Sequence, residues 1–391
     1  MITSIIGAQF GDEGKGKITD YLSENTELVV RWSGGSNAGH TIQVNNKQYK
    51  LRLVPSGVFQ NKQLLISGNC IVDPIKLIEE LEYLKENNFS PIIYIDEECI
   101  LSLPIHKKID ARNDLILNIG TTKSGIGPTV SDFVNRIVIK IKDVLENTYE
   151  TKLKTLLKFH TDYLEEELEE NLAALNTIKA LTSVTFLNRK SVNKLIDSPG
   201  KNIIFEGAQG TMLDINHGTY PYCTSTACVS TAIPYVMGIG SLKIDRNIGV
   251  IKAYVTRVGN GSFETEILSG EVKEHLQSVG KEVGTNTGRT RRVGWLDLND
   301  LFKAHYVNNF TELALTKLDV LSGLETIGIL DTKRNWWGFN GWKEDITNCK
   351  SFDELPDAAK EVIDFISKSL NLPVNIISVG PDRIQTIERK A

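Results

Sequence analysis

The stretch SIIGAQFGDEGKGKITDYL, Ser4 to Leu22, decides how this chain is read. It opens as a short apolar run, breaks into glycines, and resumes with Ile18, Tyr21 and Leu22 on one side of a helical pattern. Strand, glycine turn and helix form the setting in which Gly-x-x-x-x-Gly-Lys cradles phosphates, and Gly11 to Lys17 fits that pattern. Gly11, Gly14 and Gly16 permit close backbone approach, and successive N–H groups at a helix start bind anions. Lys15 and Lys17 add charge for a terminal phosphate. The last place departs from the pattern. A Ser or Thr there would hold Mg²⁺, and this chain has Ile18. Two carboxylates, Asp12 and Glu13, stand in the loop where phosphates should approach.

Outward from the loop, LVVRW at Leu28 to Trp32 is the next strand. PIIYID near 91–96, NIIFEGA near 202–208, IGVIKAYV near 248–255 and ELALTKLD near 312–319 are further ones. Several are continuous apolar runs, which favours a sheet covered on both faces and hence an α/β fold. Residues 141 to about 181 read as helical throughout, a helical excursion from the main sheet, with EEELEE as its solvated face. No repeat or low-complexity linker divides the 391 residues, so one domain over 1–391 is expected.

With 41% apolar and 24% charged residues, the composition is that of a soluble globular protein. A net charge of −5 leaves no basic footprint for nucleic acid or an anionic membrane. The five scattered cysteines contain no C-x-x-C pair, which points to reduced thiols rather than zinc or disulfides. The first residues lack the basic and apolar regions of a signal peptide, and SIIGA is too short to span a membrane.

Five more motifs offer chemistry. SGGSNAGHTI, Ser33 to Ile42, sets Asn37 and His40 among glycines just after a strand, where α/β sheets place their sites. GTTKSGIGPTVSDFVNR, Gly120 to Arg136, offers the hydroxyls of Thr121 and Thr122 on an open backbone. The turn within FEGAQGTMLDINHGTYPYCTST presents Gln209, an amide that both donates and accepts toward a base edge. GTNTGRTRRVGWLD carries Arg289, Arg291 and Arg292, whose planar guanidinium groups suit carboxylate or phosphate capture. TKLD, Thr316 to Asp319, places a carboxylate able to accept from guanine beside a lysine stem able to pack on the ring.

In order and spacing, these motifs resemble adenylosuccinate synthetase over nearly the whole chain, from IIGAQFGDEGKGK to ISVGPDRIQTI. The resemblance implies a large, mostly parallel sheet flanked by helices, P-loop-NTPase-like, in a cytoplasmic homodimer. It implies a ligase joining IMP and L-aspartate with GTP and Mg²⁺, giving adenylosuccinate, GDP and phosphate through a 6-phosphoryl-IMP intermediate. Asp12 would take N1–H from IMP and bind Mg²⁺, with the Gly39 carbonyl completing the metal shell. His40 and Lys15 would act on the transferring phosphoryl group, and Gln209 would orient O6 and N1. Asn37, Thr122 and Thr224 would hold the 5′-phosphate, with Arg136 reaching in from the partner subunit. Thr287, Arg289 and Arg291 would grip aspartate, with Arg289 also touching the ribose. GTP would be held by Gly14, Lys15, Gly16, Lys17, His40 and Thr41 at its phosphates, and by Lys317, Asp319, Ser378 and Gly380 at guanine.

The chain departs from the family pattern in places. The usual GGHNAGHT reads GGSNAGHT with Ser36, FHLLPSG reads LRLVPSG with Arg52, and Asn286 replaces a threonine of the aspartate loop. These changes leave open a phage-type relative acting on dGMP in place of IMP, to give 2-amino-2'-deoxyadenylosuccinate. A purine-nucleotide-binding regulator without turnover is a third reading, opposed by the intact Asp12, His40, Lys15 and Gln209.

Overall fold

A computed structural model describes residues 1–160, 164–284 and 288–389. Its frame is a ten-stranded sheet. From one edge the strands are Thr386–Glu388, Val374–Ser378, Glu312–Thr316, Arg246–Lys252 and Ile2–Gly7. Ile203–Gly210, Leu28–Arg31, Gln63–Ile66, Ile92–Asp96 and Thr185–Leu187 follow. Every neighbouring pair is parallel except the edge pair Val374–Ser378 and Thr386–Glu388.

The apolar runs explain this sheet. Successive side chains point to opposite faces, so each strand feeds two cores. Ile6, Val30, Phe205 and Ile251 enter one buried cluster; Ile5, Val29, Ile204 and Val250 enter the other. All eight are at most 2% exposed. Burying both faces removes any need for polar alternation, which is why the strands read as unbroken apolar stretches.

The chain starts at the sheet's centre. It steps past one position to Leu28–Arg31 and works outward, then returns through Ile203–Gly210 to fill the gap and builds the other side. The order therefore reverses beside Ile2–Gly7, and a crevice opens at the carboxyl ends of the strands there.

The segment 141–181 is not one helical run. It forms helices Ile141–Leu145, Tyr149–His160 and Leu164–Lys179. The first ends before Asn147, whose left-handed φ of 56° cannot continue a right-handed helix. Nor does it leave the sheet. Leu153, Leu156, Leu157, Leu175 and Ile178 are wholly buried in the second core, and the chain continues into the edge strand Thr185–Leu187. The helices therefore form part of the layer covering the sheet. Glu166, Glu169 and Glu170 of the acidic run do face solvent. Of the described helices, none is long and apolar enough to cross a membrane.

Candidate active site

A cavity of about 1250 Å³ opens at the carboxyl ends of the central strands, where the strand order reverses. The helix Lys15–Leu22 starts at its wall, with Gly14 at φ 89° as its cap. A Cβ on Gly16 would come within 3.0 Å of the His40 Cβ and 3.1 Å of Ser56 Oγ, so any larger residue there would push His40 and Ser56 back by a few tenths of an ångström.

The two loop carboxylates have different fates. Glu13 is fully buried beneath the loop. Its Oε1 accepts from the N–H of Gly11 at 2.8 Å and of Gln9 at 3.1 Å, and its Oε2 from Lys15 Nζ at 2.7 Å. Burial pushes the Glu13 carboxyl upward, but Lys15 and the loop N–H groups outweigh it and hold the carboxyl below its ordinary value. Asp12 instead lines the cavity, at a left-handed φ of 60°. Its Oδ2 lies 2.9 Å from Arg291 Nε. A non-glycine residue held in that region is a functional candidate. Ile18, in the place of the hydroxyl residue, is wholly buried in the core.

Lys17 does not point where the loop pattern places it. Its Nζ donates to Ser378 Oγ and the Gly380 carbonyl at 2.5 Å, and to the Gln385 carbonyl at 2.9 Å. All three of its protons are thus committed to the far wall rather than to a terminal phosphate. Burial pushes its ammonium down to about 7, against the pull of Asp319, Asp382 and Asp20.

His40 begins the hairpin strand His40–Val44 and is 6% exposed. Its Nδ1 lies 2.5 Å from Glu206 Oε1, and its Nε2 lies 3.1 Å from Arg31 Nη1. A guanidinium only donates, so Nε2 is an acceptor here and Nδ1 carries the proton given to Glu206. Burial, with Arg31 and Lys15, pulls the imidazole below its ordinary value despite Glu206. Donation from Nε2 to a phosphoryl oxygen therefore requires protonation and release from Arg31. Glu206 also accepts from Ser56 N at 2.8 Å and Ser56 Oγ at 2.6 Å.

Elsewhere on the cavity wall, three residues far apart in sequence join in a chain. Gln209 Nε2 donates to Asn37 Oδ1 at 3.1 Å, and Asn37 Nδ2 donates to Thr224 Oγ1 at 3.3 Å. Thr122 also lines the cavity, near the start of the helix Ile126–Val134. Gly39, Thr41, Lys317, Asp319, Ser378 and Gly380 line it as well. Burial raises the Asp319 carboxyl, against Lys17 and Lys317. Arg289 and Arg136 are both exposed. Arg289 reaches the cavity margin, its Nη1 3.6 Å from where a Cβ on Gly120 would sit, while Arg136 does not line the cavity of its own chain. Thr287 lies outside the described residues.

Sequence reasoning did not assign Arg31, Glu206 or Glu282. The first two carry a signal, since each is a charge inside an apolar strand, in LVVRW and NIIFEGA. Glu282 carries none, sitting in a polar connector. It is fully buried beside Lys252, Lys317 and Arg291. Burial pushes its carboxyl up, but these three cations hold it far below the usual range.

A family model described as adenylosuccinate synthetase matches residues 4–335 and 329–387. The chain belongs to the adenylosuccinate synthetase family. It is 41% identical over 422 residues to adenylosuccinate synthetase of Borrelia duttonii, covering 99% of this chain and 98% of the relative. To the Bacillus licheniformis adenylosuccinate synthetase it is 40% identical over 420 residues, covering 98% and 96%. Its fold matches that of fully ligated adenylosuccinate synthetase from Plasmodium falciparum, with a TM-score of 0.90, 35% identity and 99% of both chains covered. A succinoaminodeoxyadenylate synthetase of cyanophage S-2L, bound to dGMP and dATP, matches with a TM-score of 0.68 at 18% identity, over 100% of this chain and 95% of that one. At that identity the likeness shows a shared fold.

Proposed function

We propose that this chain joins IMP and L-aspartate at the expense of GTP, giving adenylosuccinate, GDP and phosphate. The observation that carries this reading is convergence. Asp12, Lys15, the Gln209–Asn37–Thr224 chain, Arg291 and the Lys317–Asp319 pair come from distant segments to one cavity. The unbroken sheet from Ile2 to Glu388 supports one catalytic unit over residues 1–391.

The 6-oxo group of IMP is a poor leaving group, so it must first become a phosphate ester. Asp12 takes N1–H, and the electron pair shifts to O6. O6 attacks the γ-phosphorus of GTP, and the bond to the GDP oxygen breaks. The aspartate amine then attacks C6, phosphate departs with the C6–O bond pair, and the surplus amine proton passes to the departing phosphate. Gln209, already tied to Asn37, holds the O6 and N1 edge, while Asn37, Thr224 and Thr122 hold the 5′-phosphate. Lys15 must exchange Glu13 for the phosphoryl group, and Arg291 must exchange Asp12 for the aspartate carboxylate. His40, protonated, steadies the phosphoryl group and its departure. Most of the lowered barrier lies in positioning and charge stabilisation.

The Asp12 carboxylate and the Gly39 carbonyl are oxygen donors at the cavity wall, the kind Mg²⁺ takes. Among the described residues no group of three or more His, Cys, Asp or Glu side chains could hold a metal alone. That suits an ion held largely by substrate phosphates. When bound, Mg²⁺ would neutralise charge on the GTP phosphates. Arg136, exposed and off its own cavity, fits a role in a partner's site within a homodimer.

The test is a product assay with GTP and aspartate, offering IMP, GMP and dGMP in parallel. Turnover of IMP that stops without aspartate is expected. Turnover of dGMP alone would overturn the choice of purine, and phosphate release without aspartate would overturn the ligase reading.

A further inference from the structure

We infer that Glu282 is a positioning residue that couples the guanine end of the cavity to the aspartate-binding arginine. The inference rests on the functional reading above and adds a residue that reading does not use. Glu282 Oε1 accepts from Lys317 Nζ at 2.7 Å, from Tyr254 OH at 2.5 Å and from Lys252 Nζ at 3.2 Å. Its Oε2 accepts from Arg291 Nη1 at 2.7 Å. One buried carboxylate therefore gathers cations from three places: the end of strand Arg246–Lys252, the turn after strand Glu312–Thr316, and the approach to strand Arg292–Gly294.

The backbone ties the same parts together. Arg291 N donates to the Glu282 carbonyl at 2.9 Å, and Lys317 Nζ donates to the Gly280 carbonyl at 2.5 Å. Arg291 then extends to Asp12, with Nε 2.9 Å from Oδ2. A path of touching side chains thus runs from Lys317 through Glu282 and Arg291 to Asp12.

Charge balance gives this path its meaning. Two lysines and an arginine meet Glu282, and Lys252, 1% exposed, is shielded from water. Even with Asp12 on Arg291, two carboxylates meet three cations, so the wall keeps surplus positive charge that incoming anions can share. When Arg291 turns from Asp12 to the carboxylate of aspartate, Glu282 still holds its other guanidinium nitrogen. Asp12 is freed while the arginine stays in place. Lys317 is held at the same carboxylate before guanine arrives. Side chains fixed in advance cost less to order on binding.

Glu282→Gln keeps the shape and removes the charge. It should raise KM for both GTP and aspartate about tenfold or more, while kcat stays within about threefold. The dissociation constant for IMP, measured by calorimetric titration, should stay within about twofold of wild type. Glu282→Asp, which keeps the charge at shorter reach, should give intermediate rises in both KM values, and it serves if the glutamine variant does not fold. A rise confined to one substrate would overturn the coupling. So would a fall in kcat that tracks a lower Tm with both KM values unmoved, because a purely structural ion cluster behaves that way. A wild-type protein inactive with IMP, aspartate and GTP would remove the functional reading and the coupling together, before any variant is made.

Discussion

Two buried carboxylates behind this site, Glu206 and Glu282, are held in different ways. Glu206 lies within strand Ile203–Gly210, inside the main sheet. It is fixed by a backbone N–H and a hydroxyl of Ser56 and by the imidazole of His40. Glu282 lies in a connector and is fixed by two lysines, an arginine and a tyrosine hydroxyl. Both are wholly buried. The wall around Glu206 is set by the covalent frame and by the short side chains of Ser56 and His40, with Arg31 buried beside His40. The wall around Glu282 is set by a balance of charges on long side chains, and charged substrates can redraw that balance. Under the proposed function the difference would separate two tasks: chemistry on the preset wall and capture on the charge-held one.

The sharpest break would come at Asp12, which lines the cavity and is paired with Arg291. Asp12→Ala should lower kcat by about 10³-fold or more, since it removes the base proposed to make O6 a nucleophile. IMP should still bind, within a few-fold by direct titration, because its phosphate is held elsewhere. An unaltered rate would end the base assignment.

Glu206→Gln comes next. It should lower kcat by roughly 10²-fold, because His40 loses the anion that favours its protonated, donating form. The KM values for GTP and aspartate should stay within about threefold. If those KM values rise as proposed for the glutamine variant at position 282, the two walls are not distinct and the comparison fails.

Much of this site was legible because glycine-rich loops after apolar runs announce themselves. The runs showed a sheet buried on both faces, and the loops showed where its carboxyl ends open. Gln209, Asn37 and Thr224 are joined by hydrogen bonds that the sequence could suggest only through the family's pattern. What stayed hidden was partner choice. Lys17 and Lys15 look equivalent in GKGK, yet one turns to Ser378 and the other to Glu13. An α-helix turns about 100° per residue, so residues two apart point about 200° from each other and the two lysines cannot share a target. The break at Asn147 was hidden too, because the apolar periodicity continues on both sides of it. Glu282 was hidden for a plainer reason: its partners lie as much as 35 residues along the chain, and nothing local marks it.

The smallest effect tests the same contrast where a half-buried carboxylate has neither kind of support. Asp300 sits in the first turn of helix Leu298–Asn308, close to Asp297. Burial, joined by Asp297, pushes its carboxyl up to about 6, and Lys303 and Arg257 do not offset this. The folded protein therefore holds this proton more tightly than the unfolded chain, whose carboxyl titrates near 3.8. The favourable contribution is complete below the unfolded value and is lost as pH rises through about 6. Above that, the charged form is penalised by about 3 kcal/mol, less the fraction regained from the helix N-terminus. Asp300→Asn removes the titration. It should match wild type in denaturant melts near pH 4 and exceed it by about 2 kcal/mol at pH 8. A gain of the same size at both pH values would mean that packing, not charge, separates Asp300 from Glu206 and Glu282. A loss at pH 8 would mean that Lys303 and Arg257 support Asp300 as the cations support Glu282.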